Sequence, residues 1–355
     1  MNKQKMFLSN SILKSRSIFS SAATNSRTAS QPFLRNNTQK RQQTNGGDAP
    51  TASGGPNRSM WMGIGIATGI VGGYWLSSML FSDNEPVQNK IELPPQPEKS
   101  LSPKEWRAFP LSYRERLTPD TNLYRFSLED QSHVLGMDVA SCLSLRVPTA
   151  ADEEEVARPY TPTTLDQEAY GYFDLVIKTY PGGKAGEYVN ALKVGDKVEF
   201  KGPWQKLPIE TNMVEHMGML AAGTGITPMY QVIKQVLSDP KDTTKITLLY
   251  ASRTEDDVIL APELAELASK YPDRLKVHYF ISQPKSGEKG VRIDKETIST
   301  LLPSPQKKSS QKVFVCGPKG FYEAVSGWKG PNFTQGDLTG YLAELGYEKD
   351  QVFKF

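Results

Sequence analysis

The sequence predicts a two-domain α+β body: an antiparallel β-barrel followed by an α/β domain with a parallel sheet. A disordered basic leader and one membrane-spanning helix precede it. Three observations carry this prediction. Short β-rich runs separated by turns fill residues 105–210, and strands alternate with helices over 211–355. Ahead of both lies a run of 22 uncharged residues.

The leader, residues 1–59, holds the basic excess. Its first 58 residues carry nine Lys or Arg and one acid, Asp48, a balance of +8; the rest carries 33 basic and 38 acidic side chains, a balance of −5. Ser, Thr and Asn abound there, and Phe7, Leu8, Ile12, Leu13, Ile18 and Phe19 fall near helical spacing. Such a segment is either a mitochondrial transit peptide or a disordered basic tail. The absence of any acid from Met1 to Gly47 favours the former.

Met60 to Phe81 forms the uncharged run. At 1.5 Å per residue it spans about 33 Å, enough for a hydrocarbon core of roughly 30 Å. Arg58 flanks its start and Asp83 and Glu85 its end, so the positive side is N-terminal. For a mitochondrial protein this charge order expects the body in the intermembrane space, from the inner membrane or, alternatively, the outer one. Gly65, Gly69 and Gly73 have the spacing that suits a helix dimer, although glycines are common in such helices. Residues 82–104, with Pro86, Pro94, Pro95, Pro97 and Pro103, read as a semi-rigid spacer.

The barrel is expected from Asn122–Ser127, Cys142–Val147, Tyr172–Tyr180 and Lys197–Phe200, short β-rich runs bounded by Gly, Pro and Asp. Beyond it the expected order is strand Met217–Ala221, helix Pro228–Leu237, strand Lys245–Ala251, helix Ala261–Lys270, strand Lys276–Ile281, helix Lys295–Leu301 and strand Lys312–Cys316. This βαβ series implies a parallel sheet, whose ligands bind beyond the carboxyl ends of the strands.

Composition excludes several chemistries. Two cysteines, Cys142 and Cys316, cannot build a disulfide scaffold, a four-cysteine zinc site or a cysteine-ligated cluster. Three histidines scattered at 133, 216 and 278 offer no local metal motif, so no metal is expected. A net-negative body is a poor nucleic-acid binder.

Two motifs point to chemistry. Gly223-Thr224-Gly225-Ile226-Thr227-Pro228 stands at a strand-to-helix junction, where backbone N–H groups can approach a pyrophosphate. It is also what a plain tight turn looks like, and Pro228 replaces the third glycine of the dinucleotide fingerprint. In Arg158-Pro159-Tyr160-Thr161-Pro162-Thr163 an Arg can clamp a phosphate, a Tyr can stack on a planar ring and a Thr hydroxyl can reach a ring nitrogen. The alternative is a proline-fixed strand end with a surface Arg.

Order and spacing decide. Arg158 to Pro162, then Gly182-Gly183-Lys184 about 24 residues on, then Gly223 to Pro228, then Cys316-Gly317-Pro318, resemble the cytochrome b5 reductase branch of the ferredoxin–NADP reductase-like flavoenzymes. The resemblance covers residues 105–355 and is closest to the fungal mitochondrial, membrane-anchored form. It rests further on the ending Gln335-Gly336-Asp337-Leu338 through Leu345-Gly346-Tyr347 to Val352-Phe353-Lys354-Phe355.

That resemblance implies an FAD-binding barrel and a nicotinamide-nucleotide domain. Hydride would pass from NADH to FAD, and single electrons to a heme protein such as cytochrome b5. It places Arg158 on the FAD diphosphate, with Pro159 and Tyr160 beside it, and Thr161 near flavin N5. Val176, Lys178 and Tyr180 form the next flavin-contacting strand, and Gly183, Lys184, Ala185 and Gly186 the diphosphate turn. Gly223, Thr224, Gly225, Thr227 and Pro228 form the junction shared by flavin and nicotinamide. Cys316, Gly317 and Pro318 set the nicotinamide against the flavin, with Thr161 and Cys316 nearest the reacting atoms. Cys316 can also be read as a nucleophile, but the role the resemblance implies, packing beside the nicotinamide, is the favoured one.

The chain departs from the family in four places. Ala185-Gly186 replaces Met and a hydroxyl residue, Lys319-Gly320 follows Cys-Gly-Pro where prolines are usual, and Cys142-Leu143-Ser144 replaces a histidine region. Ser282 stands where an acid is expected to read the adenosine ribose, which leaves NADPH open as a second donor. Two other functions stay open: a redox factor for heme attachment to c-type cytochromes, and a non-catalytic flavin-domain interaction module.

Overall fold

The computed structural model describes residues 96–149, 154–306 and 310–355. The expected leader 1–59, the expected spanning helix 60–81 and residues 82–95 of the spacer lie outside these. Among the described residues no helix is long and apolar enough to cross a membrane.

Six antiparallel strands come first: β1 (Arg107–Thr118), β2 (Thr121–Ser127), β3 (Ser141–Val147), β4 (Val156–Tyr160), β5 (Tyr172–Lys178) and β6 (Lys197–Gln205), in the order β4-β3-β6-β1-β2-β5. β1 holds the sheet together. Its start pairs with β6 and its remainder with β2, and a register shift between Leu111 and Tyr113 lets it turn from one to the other. The ends of the sheet meet just beyond β4. There Thr163 N–H donates to Asp174 O at 2.9 Å, and Asp174 N–H to Thr164 Oγ1 at 3.2 Å.

Period-2 alternation fills the interior. Phe173, Leu175 and Ile177 of β5 point in, joined by Phe109, Phe126, Phe200, Leu143 and Leu145. Phe126 meets Phe200 edge-on at 4.9 Å and stacks on Phe173 at 5.4 Å. Helix α1 (Lys184–Ala191) adds Ala185 and Val189 to this core.

Part of the expected spacer belongs to this module. Ser100 N–H donates to Val134 O and Leu101 N–H to Leu135 O, both at 2.9 Å, and Leu101 is buried in the barrel core. The spacer reading of 82–104 therefore runs too far. Proline density marks extended chain without telling a free tether from a packed one.

Five parallel strands follow: β7 (His216–Ala222), β8 (Lys245–Ser252), β9 (Leu275–Ile281), β10 (Gln311–Cys316) and β11 (Val352–Lys354), in the order β11-β10-β7-β8-β9. Both faces are covered. Met217, Met219 and Ala221 of β7 turn towards α2 (Ile226–Ser238) and α3 (Ala261–Lys270). Leu220, between them in sequence, turns to the opposite face, with α4 (Lys295–Leu301), α5 (Lys319–Val325) and α6 (Gly340–Glu344). The chain leaves β7 first towards β8 and β9, then returns to lay β10 and β11 on the other side. The order therefore reverses between β7 and β10, the switch point at whose carboxyl end sheets of this kind bind their ligands.

Candidate functional site

Two loops leave that switch point side by side. After β7, Gly223–Gly225 forms a single 3-10 turn that runs directly into α2. Gly223 takes φ +56°, a left-handed conformation, and a Cβ there would meet nothing within 4 Å, so its backbone faces open space. Gly225 is needed for a different reason. A Cβ on it would lie 2.2 Å from Cys316 O, so the turn after β7 and the segment after β10 touch backbone to backbone. Tyr250, fully buried, fixes the turn by donating from its hydroxyl to Gly223 O at 3.2 Å, while it accepts from Ile259 N–H at 3.1 Å. Thr227 Oγ1 donates to Thr224 O at 3.2 Å, and Pro228 sits buried in the first turn of α2, where a missing N–H costs nothing.

Cys316 ends β10, with Gly317 and exposed Pro318 leading into α5. Burial pushes the Cys316 thiol up, only partly offset by a hydrogen bond with Tyr322, so it stays protonated at neutral pH. Tyr322 hydroxyl also reaches the backbone oxygen of Phe355, and Phe355 N–H donates to Val315 O at 3.0 Å. The chain end is thereby pinned beside the Cys316 segment.

The barrel supplies the facing wall. Its inward residues alternate with Val176 and Lys178 of β5, and Val176 packs into the core of the parallel-sheet module. Lys178 ion-pairs with Asp120 at 2.7 Å and with Asp257 at 3.3 Å, so one ammonium joins barrel and nucleotide module. Tyr180 is 51% exposed just beyond. On β4, Arg158 and Pro159 are exposed and Tyr160 is half-buried, as is Thr161 just past the strand. Burial pushes the Tyr160 hydroxyl up to about 12, with the Arg158 charge pulling the other way. Gly183 caps α1 without a side-chain bond, exposed Lys184 is its first residue, and Ala185 and Gly186 are buried behind it.

Three features fit a flavin dinucleotide. Arg158, among the described residues, has no carboxylate partner and bonds only to Ala157 O at 2.8 Å, leaving a guanidinium open to a phosphate. The start of α1 offers unpaired backbone N–H groups, a ready anion site. Gly223 presents open backbone at the junction.

The chain's two modules match two family models: an oxidoreductase FAD-binding domain over residues 108–208 and an oxidoreductase NAD-binding domain over 219–327. NADH-cytochrome b5 reductase 2 of Aspergillus oryzae is 47% identical over 253 residues, which are 70% of this chain and 77% of that protein. The chain belongs to the NADH–cytochrome b5 reductase family. The Coccidioides immitis reductase 2 is 43% identical over 252 residues, again 77% of its length. Among solved structures, the cytochrome b5 reductase domain of Ulva prolifera nitrate reductase superposes with a TM-score of 0.62 at 33% identity, over 72% of this chain and all of that domain. The CS-b5R domains of human Ncb5or, in their NAD+ form, give 0.58 at 29% identity, over 71% and 69%. The chain is thus an FAD-dependent oxidoreductase of the b5 reductase type, with FAD and NADH as its cofactors.

Ser282 directly follows β9, the edge strand, and its N–H donates to Ser252 O at 3.1 Å. Lys285, the cation nearest to it in sequence, is already held by Asp256, and its backbone N–H is bound by Glu255 at 3.2 Å. These two carboxylates at the end of β8 were not singled out from the sequence. Neither were Tyr250, Asp257 and Tyr322, which act through contacts far apart in the chain.

Proposed function

We propose that this chain is a membrane-anchored reductase of the mitochondrial intermembrane space that takes hydride from NADH and delivers electrons singly to a cytochrome b5-type heme protein. The observation that carries the electron path is the backbone contact between Gly225 and Cys316 at the switch point, directly against β5 of the barrel. The names of the relatives support the acceptor. The acid-free leader and the charge order around Met60–Phe81 support the address.

When bound, FAD supplies the conversion of a two-electron donor into two one-electron steps. The residues do the rest by position. Arg158 and the start of α1 would hold the FAD diphosphate by charge and by backbone N–H groups. Tyr160 and Tyr180 offer flat faces for a ring, and the Thr161 hydroxyl offers a hydrogen bond to a ring nitrogen. The Gly223–Gly225 turn and Cys316–Pro318 would line the donor side, where a protonated Cys316 would pack without reacting. A hydride carries its own proton, so its transfer requires no side-chain acid or base.

The purified full chain should therefore be yellow, carry FAD and lose its flavin absorbance when NADH is added anaerobically. A colourless protein would favour the non-catalytic interaction module.

A further inference from the structure

Helix α2 carries Gln231, Lys234, Gln235 and Ser238 at i, i+3, i+4 and i+7, one face of the helix, and all four touch the barrel module. Lys234 pairs with Glu168, and Gln167 Nε2 donates to Gln235 Oε1 at 3.3 Å and to Ser238 Oγ at 3.2 Å. Those contacts have exposed partners and compete with water. Gln231 differs: it is 1% exposed. Its Oε1 accepts from Ala140 N–H at 2.8 Å, and its Nε2 donates to Pro162 O at 3.4 Å.

Both bonds end on barrel backbone, so Gln231 responds to where the barrel chain runs. Pro162 directly follows Thr161. Ala140, held at φ +60°, leads into β3, whose Leu143 pairs with Tyr160. At its own end, Gln231 lies one helical turn past Thr227, on the helix that begins at the Gly223–Gly225 turn. One buried amide therefore connects the segment next to Thr161, and the strand paired with β4, to the helix assigned to the nicotinamide junction.

We infer that Gln231 is a positioning residue: it sets the separation of the two modules and so the alignment of NADH with the flavin during hydride transfer. The inference rests on the b5 reductase function proposed above. Hydride transfer is sensitive to placement, and a misplacement near 1 Å can cost about a hundredfold in rate. A buried amide with two backbone partners is also poorly replaced, because any shorter or apolar side chain leaves Ala140 N–H and Pro162 O unpaired.

The test uses the full chain with FAD, comparing wild type with Gln231→Met, which keeps the length but neither bond, and Gln231→Glu, which keeps the acceptor for Ala140. Stopped-flow absorbance follows reduction by NADH, with NADH deuterated at the transferred position as the second donor; ferricyanide reoxidation is measured separately. We expect Gln231→Met to retain FAD, to slow reduction by about 10- to 100-fold with a larger isotope effect, and to leave reoxidation unchanged. Gln231→Glu should fall between the two. Amide hydrogen exchange at residues 140–142 should rise in Gln231→Met while β5 stays protected, a readout independent of turnover. Wild-type reduction rates and isotope effects in both variants would overturn the inference, as would equal slowing of both half-reactions. If Gln231→Met fails to fold, Gln231→Glu decides by the same criteria. A wild-type chain that NADH does not reduce would instead refute the reductase function itself.

Discussion

Arg158 and Ser282 show what a single residue tells and what it hides. Arg158 is legible because its neighbours Pro159, Tyr160 and Thr161 are chemically specific, and its guanidinium has no carboxylate partner among the described residues. Ser282 is legible only as an absence, an uncharged group where a carboxylate would repel a 2′-phosphate. What the sequence does not show is that Glu255 and Asp256 come close to the same loop through Lys285. If Ser282 sets donor choice, wild type should use NADPH as well as NADH. Ser282→Asp should then lower kcat/KM for NADPH relative to NADH by roughly 5- to 150-fold, about 1–3 kcal/mol. Should wild type already exclude NADPH as strongly as Ser282→Asp does, the discriminating group lies elsewhere and the alignment that puts Ser282 in the acid's place is wrong.

At the scale of elements, four strands and three helices of the parallel-sheet module, from β7 to β10, are readable because apolar runs such as Met217–Ala221 alternate with helical stretches. Helices α5 and α6 and the three-residue β11 are short and leave no such signal. Nor is β1 readable this way. Its exposed residues 112–116 carry mostly polar side chains, and its identity as a strand comes from pairing with β2 and β6. Helix α1 was hidden by glycines that read as a turn, and its hold is tertiary, through Ala185 and Val189 in the barrel core. The Lys178 link likewise joins elements distant in sequence. Burial raises the carboxyls of Asp120 and Asp257, but bonds from Lys178 and neighbouring threonines outweigh it and leave both below the ordinary range. A depressed folded pKa means stability that is complete above the unfolded value, about 3.9, and lost as pH falls through the folded one. Lys178→Met should therefore lower Tm at pH 7 by about 3–10 °C, for a loss of about 1.5–3 kcal/mol. The gap to wild type should narrow below about pH 4. A gap independent of pH would assign the loss to packing of the lysine stem.

For the whole molecule, the two-module plan follows from a change of rhythm in the sequence, and the switch point from a reversal of strand order that only the assembled sheet displays. The proposed address rests on the leader and the uncharged run, the proposed acceptor on the names of the relatives. Protease added to mitochondria with ruptured outer membranes should degrade the body while matrix proteins survive. Protection would place it in the matrix, and digestion before rupture on the cytosolic face. The electron path is tested most directly by counting. Purified full chain, mixed anaerobically with limiting NADH and excess ferric cytochrome b5, should reduce two cytochromes for each NADH consumed, with the flavin reoxidised at the end. NADH consumed without cytochrome reduction, or cytochrome left ferric beside a flavin that stays reduced, would contradict it.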